Sequence, residues 1–391
     1  MEMRVLSSLL SALLVMSLMT PFVSAEEKQA NQAKLAEKAS SAIVIERDTG
    51  EVIFNKNSHE KLPPASMTKI MTMLLIMEAI DNGSLTYEDK IRTSEFAASM
   101  GGSQIFLEPG EEMTVTEMLK AIAVASGNDA SVAMAEHIAG TEEEFVEMMN
   151  EKAKELGLEN TNFVNSNGLP AENHYTTAYD LAMISKELLK YEDITKFTGI
   201  YEDYLREDTD KKFWLVNTNK LVKFYPGVDG LKTGFTREAM YCLTATAEKN
   251  GMRVISVIMG APSPKERNAQ ITSMLDYSFS QFMTHKLYER DHILADVKVS
   301  KGEQNKVPVA TAESVSILTK KGVNIDDVAE RLEIDQEVKA PIKKGDRLGT
   351  LFVEREGKIL SETALVASED VFDASWWKLF KRVLSNFGGA A

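Results

Sequence analysis

Residues 63–80, Pro-Pro-Ala-Ser-Met-Thr-Lys-Ile-Met-Thr-Met-Leu-Leu-Ile-Met-Glu-Ala-Ile, set a serine and a lysine three positions apart at the head of an otherwise almost wholly apolar run. Pro63 and Pro64 block helix before Ser66, and Asp81-Asn82-Gly83 stops it. Between these limits Ile70, Met71, Met73, Leu74, Leu75, Met77 and Ile80 occupy nearly every azimuth. A helix apolar all round has no solvent face, so the segment predicts a core helix. Positions i and i+3 share a face, which lets Lys69 reach the Ser66 hydroxyl. Burial and a second nearby cation both lower a lysine's pKa, by as much as about 3–5 units for full burial. A neutral Lys69 can take the serine proton, while the helix N-terminus offers donors and positive dipole to an oxyanion. The competing reading makes Ser66 an N-cap with Lys69 in water.

Ser-x-x-Lys by itself carries little, because it occurs three times: Ser58 to Lys61, Ser66 to Lys69 and Ser375 to Lys378. Ser58 sits in a polar connector and Ser375 in an amphipathic tail, so only Ser66 heads a buried helix. Two further segments bear on the choice. Ser126-Gly127-Asn128 interrupts a helix that begins at Thr114 and Glu117, with capping-box spacing, and resumes through "DASVAMAEHIA" to Gly140. Such a turn points a hydroxyl and an amide into an adjacent cleft. Lys232-Thr233-Gly234 opens a predicted strand, where Gly234 permits close approach of a ligand backbone. In the order S-x-x-K, S-x-N, K-T-G, the three match the signature of serine acyltransferases that react with penicillin.

The rest of the chain sets the frame. At 391 residues and 44% hydrophobic content it can bury more than one core. Residues 1–25 combine Arg4, an apolar stretch from Val5 to Met19, Pro21 and a Val-Ser-Ala end, and read as a cleaved secretory signal peptide rather than a membrane anchor. The single cysteine, Cys242, allows no internal disulfide and reads as a core residue. A net charge of −15 excludes a broad basic surface for nucleic acid. Five histidines lack zinc-site spacing, Gly227–Thr233 fails as a phosphate loop, and no G-x-S-x-G elbow occurs, so neither metal nor cofactor is expected. "SAIVIERDTGEVIFNKN" predicts a hairpin, and "YCLTATA", Asn250-Gly251 and "RVISVIMG" a second antiparallel pair. Beyond about residue 286 short alternating segments predict a small β domain. In the tail, Trp376, Phe380, Val383 and Phe387 share one helical face, which predicts an interfacial amphipathic helix; a terminal helix docked on the β domain is the alternative.

On "PASMTKIMT", "GGSQIFLEPGEEMTV", "ASGNDASVAMAEHIAG", "LGLENTNFVNSNGL" and "GVDGLKTGF", the chain resembles the D-alanyl-D-alanine carboxypeptidases of the penicillin-binding protein 5 type, low-molecular-mass penicillin-binding proteins, and among them the Bacillus enzymes linked to sporulation. The resemblance implies an α+β fold: a serine β-lactamase/transpeptidase-like catalytic domain (26–285) with an antiparallel sheet, helices and a helical subdomain. An all-β domain (286–368) and an amphipathic membrane-associating helix (369–391) follow. It implies Ser66 as nucleophile, Lys69 as general base and Ser126 as proton relay. Asn128 would hold the acyl chain's amide, and Lys232 and Thr233 of the Lys232-Thr233-Gly234 motif the terminal carboxylate. The N–H groups of Ser66 and Phe235 would form the oxyanion hole, and Arg267 would lie near the carboxylate. Expected partners are peptidoglycan stem peptides ending in D-Ala-D-Ala, β-lactams as covalent inhibitors and, through the tail, the outer face of the cytoplasmic membrane. Met240 stands where a glycine is expected, and Arg237 adds a cation at the rim. Two alternatives share the motifs. A class A-like β-lactamase needs a Glu-x-x-Leu-Asn segment, of which only Glu159 is present; a penicillin-binding sensor or scaffold acylates with little turnover.

Overall fold

The structure, a computed structural model, describes residues 35–388; the proposed signal peptide lies outside them. Strands β1 (Ser41–Glu46) and β2 (Val52–Lys56) form the hairpin expected around Asp48-Thr49-Gly50. Three later strands, β3 (Val228–Thr236), β4 (Met240–Lys249) and β5 (Met252–Ala261), complete an antiparallel five-stranded sheet of order β2-β1-β5-β4-β3. All six residues of β1 are buried, which requires both faces of the sheet to be covered. Ile43 and Ile45 face the main core, and Ala42 and Val44 are buried outside it. At the edge, β3 keeps one side of its backbone unpaired within the sheet.

The main core is built on α1 (Lys69–Asp81), buried at every position from Lys69 to Met77. The chain reaches it through a one-turn 3-10 segment, Ala65–Thr68, so Ser66 precedes the α-helix instead of lying in it. The second motif sits between α2 (Val115–Lys120), whose Thr114–Glu117 capping box is formed, and α3 (Asn128–Ala139), which ends at Gly140 with φ +93°. Between them residues 121–125 form a π turn and Ser126 takes φ +64°. Then come α4 (Glu142–Glu155) and α5 (Ala178–Leu188); α1 packs against α3, α4 and α5, and α5 continues onto β1 and β5. Helix α6 (Pro264–Gln281), capped by Ser263, lies against β4 and β5.

From Phe282 the chain is β-rich with its own core around Val307, Val309, Ile317, Leu351, Val353 and Leu365. A six-stranded sheet and a two-stranded ladder make it up. It meets the first core region through Ser316, whose hydroxyl donates to Asp48 at 2.8 Å. Last comes α7 (Trp376–Gly388), with Trp376, Trp377 and Phe380 exposed; Trp376 stacks on Phe380, and Trp377 meets both rings edge to face. Arg382 ties the helix to the β region by donating to the carbonyls of Gly302 and Glu303.

If α1 is the packing centre, Leu74→Ala, at a fully buried position, is expected to cost about 2–5 kcal/mol through lost transfer energy and a residual cavity. Urea unfolding measures this, and a loss under about 1 kcal/mol would place the packing centre elsewhere.

Candidate active site

The three motifs converge on a cleft of about 520 Å³, lined by Ser66, Ser126, Thr233, Gly234, Phe235 and Arg267 together with Ser103, Thr218, Lys220 and Asn268. Lys69, Asn128 and Lys232 stand behind this lining and are buried. Of the three Ser-x-x-Lys lysines only Lys69 is enclosed; Lys61 is exposed over the Tyr175 ring, and Lys378 is exposed.

The nucleophile turn is tightly held. Ala65 has φ +48°, a left-handed conformation that costs a non-glycine residue about 1–2 kcal/mol. Glycines on two other segments make room for it. A Cβ on Gly168, itself at φ +88°, would stand 1.9 Å from the Ala65 carbonyl oxygen. On Gly234 it would stand 2.8 Å from the Pro64 carbonyl oxygen. The absent side chain of Gly234 thus admits the nucleophile turn, not only a ligand. The Lys232-Thr233-Gly234 motif, expected to open its strand, lies in the second half of β3, because pairing with β4 already begins at Val228.

Lys69 Nζ lies 3.3 Å from Ser66 Oγ, 2.6 Å from Asn128 Oδ1 and 2.5 Å from the Asn167 carbonyl oxygen. The Asn128 amide orientation follows from its partners, since Nδ2 donates to the Gly101 carbonyl and Oδ1 must therefore face Lys69. Two of the three neighbours can only accept. A neutral amine has two hydrogens and gives them to Asn128 and Asn167, and its lone pair then points at the Ser66 hydroxyl. Burial, and then the Lys232 charge, hold Lys69 well below the ordinary lysine value, against a smaller opposing pull from Asp129. Lys232 is itself pushed down to about 7 by burial and by Arg267.

Several of these partners were not singled out in the sequence. Asn167 acts through its main-chain carbonyl. Its loop is built by Asn165, whose Oδ1 accepts from the Asn167 and Gly168 amides, and by Glu142 at the start of α4, which accepts from the Ser166 amide and hydroxyl. Thr72, one turn beyond Lys69, donates to the Ser166 carbonyl at 2.5 Å. Asp129 is buried and accepts from the Ile105 and Leu107 amides, which pins the 101–107 segment beside Ser126. Thr233 donates to Thr218 at 2.7 Å. Asn128, expected to hold substrate, meets Lys69 and Gly101 and is absent from the cleft lining. Arg267, on the first turn of α6, does line the cleft, and its Nε donates to Asn268. Cys242 lies beneath, fully buried as expected for a core residue. A second depression, about 610 Å³, is lined by Pro63–Ala65, Gly168–Tyr175, Thr236 and Glu238.

Residues 26–263 match the D-alanyl-D-alanine carboxypeptidase family, and residues 282–372 match the penicillin-binding protein 5 C-terminal domain. The chain belongs to the D-alanyl-D-alanine carboxypeptidase family. It is 60% identical over 384 residues to the D-alanyl-D-alanine carboxypeptidase DacF of Bacillus subtilis, covering 98% of each chain. It is 31% identical over 346 residues to DacA of Escherichia coli, covering 87% of this chain and 85% of that protein. Among solved structures, penicillin-binding protein 5 from Haemophilus influenzae aligns with a TM-score of 0.67 at 30% identity, over 87% of this chain and 99% of its own. Penicillin-binding protein D2 from Listeria monocytogenes, solved in an ampicillin-bound form, aligns with a TM-score of 0.54 at 30% identity, over 62% of this chain and 98% of its own. The fold is therefore that of a transpeptidase-like α+β domain followed by an all-β domain and a final helix. Family membership favours the carboxypeptidase over the β-lactamase and the non-catalytic sensor.

The charge on Lys232 disfavours a charged Lys69, so removing it should raise the Lys69 pKa. In Lys232→Gln the Lys69 titration, followed by ¹³Cε NMR of labelled lysine, is expected to move up toward 10.5. A midpoint that stays put or falls would show that burial alone sets it.

Proposed function

We propose that this family member removes the terminal D-alanine from peptidoglycan stem peptides ending in D-Ala-D-Ala through an acyl-enzyme on Ser66. The observation that carries the reading is the set of acceptors around Lys69, which leaves its lone pair for Ser66. Edge strand β3 offers unpaired backbone groups along which an extended peptide can add as a further strand. The terminal carboxylate then falls against Thr233 and Arg267, with Lys232 buried behind them. Ser66 Oγ attacks the carbonyl carbon of the penultimate D-alanine as its proton passes to Lys69 Nζ. The N–H groups of Ser66 and Phe235 receive the oxyanion, an arrangement in which one donor is worth about 3 kcal/mol. Collapse breaks the C–N bond, and the proton reaches the leaving amine by way of Ser126, freeing D-alanine. Water then adds to the ester, its proton again taken by Lys69, and the shortened peptide leaves as Ser66 is restored. A β-lactam enters the same first step and leaves Ser66 acylated.

Incubation of the purified protein with such a pentapeptide and EDTA should release one D-alanine per peptide, and Ser66→Ala should release none. D-alanine release by Ser66→Ala would refute the mechanism, and stoichiometric penicillin labelling without turnover would support the sensor instead.

The tail extends the proposal to location. Among the described residues no helix is long and apolar enough to cross a membrane. Trp376, Trp377 and Phe380 are nevertheless exposed on α7, in a ring cluster suited to a headgroup interface, and Phe372 is exposed just before it. We propose that the chain is exported by residues 1–25 and held to the outer face of the cytoplasmic membrane by α7. Truncation after Asp370 is expected to move the protein from the vesicle pellet to the supernatant, and an unchanged pellet fraction would refute this.

A further inference from the structure

His174 is buried on the loop leading to α5, with Phe163 edge-on to its ring. Its Nδ1 accepts a hydrogen bond from the Val164 amide at 3.0 Å, so its proton belongs on Nε2. Nε2 lies 2.8 Å from Thr68 Oγ1 and donates to it. Thr68, so engaged, turns its own hydrogen to the Ala65 carbonyl oxygen, also at 2.8 Å. The two hydrogen bonds thus run one way, from the imidazole to the peptide between Ala65 and Ser66. Burial holds the His174 imidazole down at about 4, so the ring is neutral and keeps this proton order near neutral pH.

That peptide is a planar trans unit in which C=O and N–H point in opposite directions. Its carbonyl faces Thr68, and its N–H is the Ser66 group assigned above to the oxyanion. A hydrogen bond received by the carbonyl fixes the peptide plane and draws electron density from the nitrogen, which makes the N–H a better donor, and chains of such bonds polarise one another. Gly168, packed against the same carbonyl, and the left-handed Ala65 leave the peptide no room to rotate.

We propose that Thr68 and His174 are positioning residues for the oxyanion hole: the chain from His174 Nε2–H through Thr68 Oγ1–H to the Ala65 carbonyl orients and strengthens the Ser66 N–H. The proposal rests on the acyl-enzyme reading and adds a specific source for the strength of one of its two donors.

The test acylates the full protein with benzylpenicillin carrying ¹³C at the β-lactam carbonyl, and follows both the acylation rate and the infrared stretch of the resulting ester. Thr68→Val removes the hydroxyl at nearly constant volume, and Thr68→Ser keeps it. Thr68→Val combined with His174→Leu leaves no imidazole N–H unpaired against the valine and frees only the Val164 amide, which lies on a partly exposed segment; this covers the case in which the single variant folds poorly. Expected is a fall in the acylation rate constant of about tenfold or more, short of the 10²–10³ that follows outright loss of a donor. Noncovalent affinity should stay within about twofold. The ester carbonyl band should rise in wavenumber in the valine variants and return in Thr68→Ser. An unmoved band in the valine variants overturns the proposal whatever the rate does, since a merely structural role slows acylation without weakening the donor. If the wild type is not acylated at Ser66, it is the acyl-enzyme reading that fails.

Discussion

The rest of the site depends on one unfavourable placement: the Lys69 amine is buried at the front of a helix with no solvent face. An isolated ammonium there is costly, and the molecule answers by making the neutral amine the comfortable form. A second buried lysine, Lys232, pushes in the same direction. Two carbonyl oxygens then take the two hydrogens that remain. Stability and chemistry are one statement here. The packing that makes α1 a core helix is also what removes the proton from the residue facing Ser66.

Everything near Lys69 is arranged to keep that geometry. Asn128 is drawn toward the amine and tied to Gly101, Asp129 ties down the neighbouring segment, and Ser126 is left at the cleft in a left-handed conformation. The Asn165–Leu169 loop is internally bonded and anchored to both α4 and α1, so the Asn167 carbonyl cannot drift. Close packing of three backbone segments, around Ala65, Gly168 and Gly234, is possible only because two of them lack side chains. Preorganisation of this kind is what an oxyanion site requires, because donors must already point where charge will form.

The two ends of the described chain serve different physics. The main sheet buries both faces and leaves β3 as a backbone edge beside the cleft. The β-rich region has its own core, and α7 remains an exposed aromatic helix fastened through Arg382. The docked terminal helix and the interfacial helix, posed as alternatives from the sequence, are therefore compatible: the backbone contact orients the helix and its rings stay outside.

Much of this is legible in the amino-acid sequence. The lack of a polar face placed α1 in the core, the Thr114–Glu117 spacing gave a formed capping box, and Gly140 ended α3. These signals act over a few residues, so the sequence carries them in full. The three motifs and the family resemblance pointed to one cleft, and the residues they name gather at or just behind it. The tertiary structure alone decided which groups complete it. Asn128 turned toward Lys69, Gly234 made room for the nucleophile turn, and Asn167, Thr68 and His174 entered from segments up to about a hundred residues distant. The physical reason is that the decisive partners are often main-chain carbonyls, those of Asn167, Gly101 and Ala65, held at hydrogen-bonding distance by the fold. Every residue has a carbonyl. Side-chain chemistry is written in the sequence, whereas the position of a backbone oxygen exists only once the chain has folded.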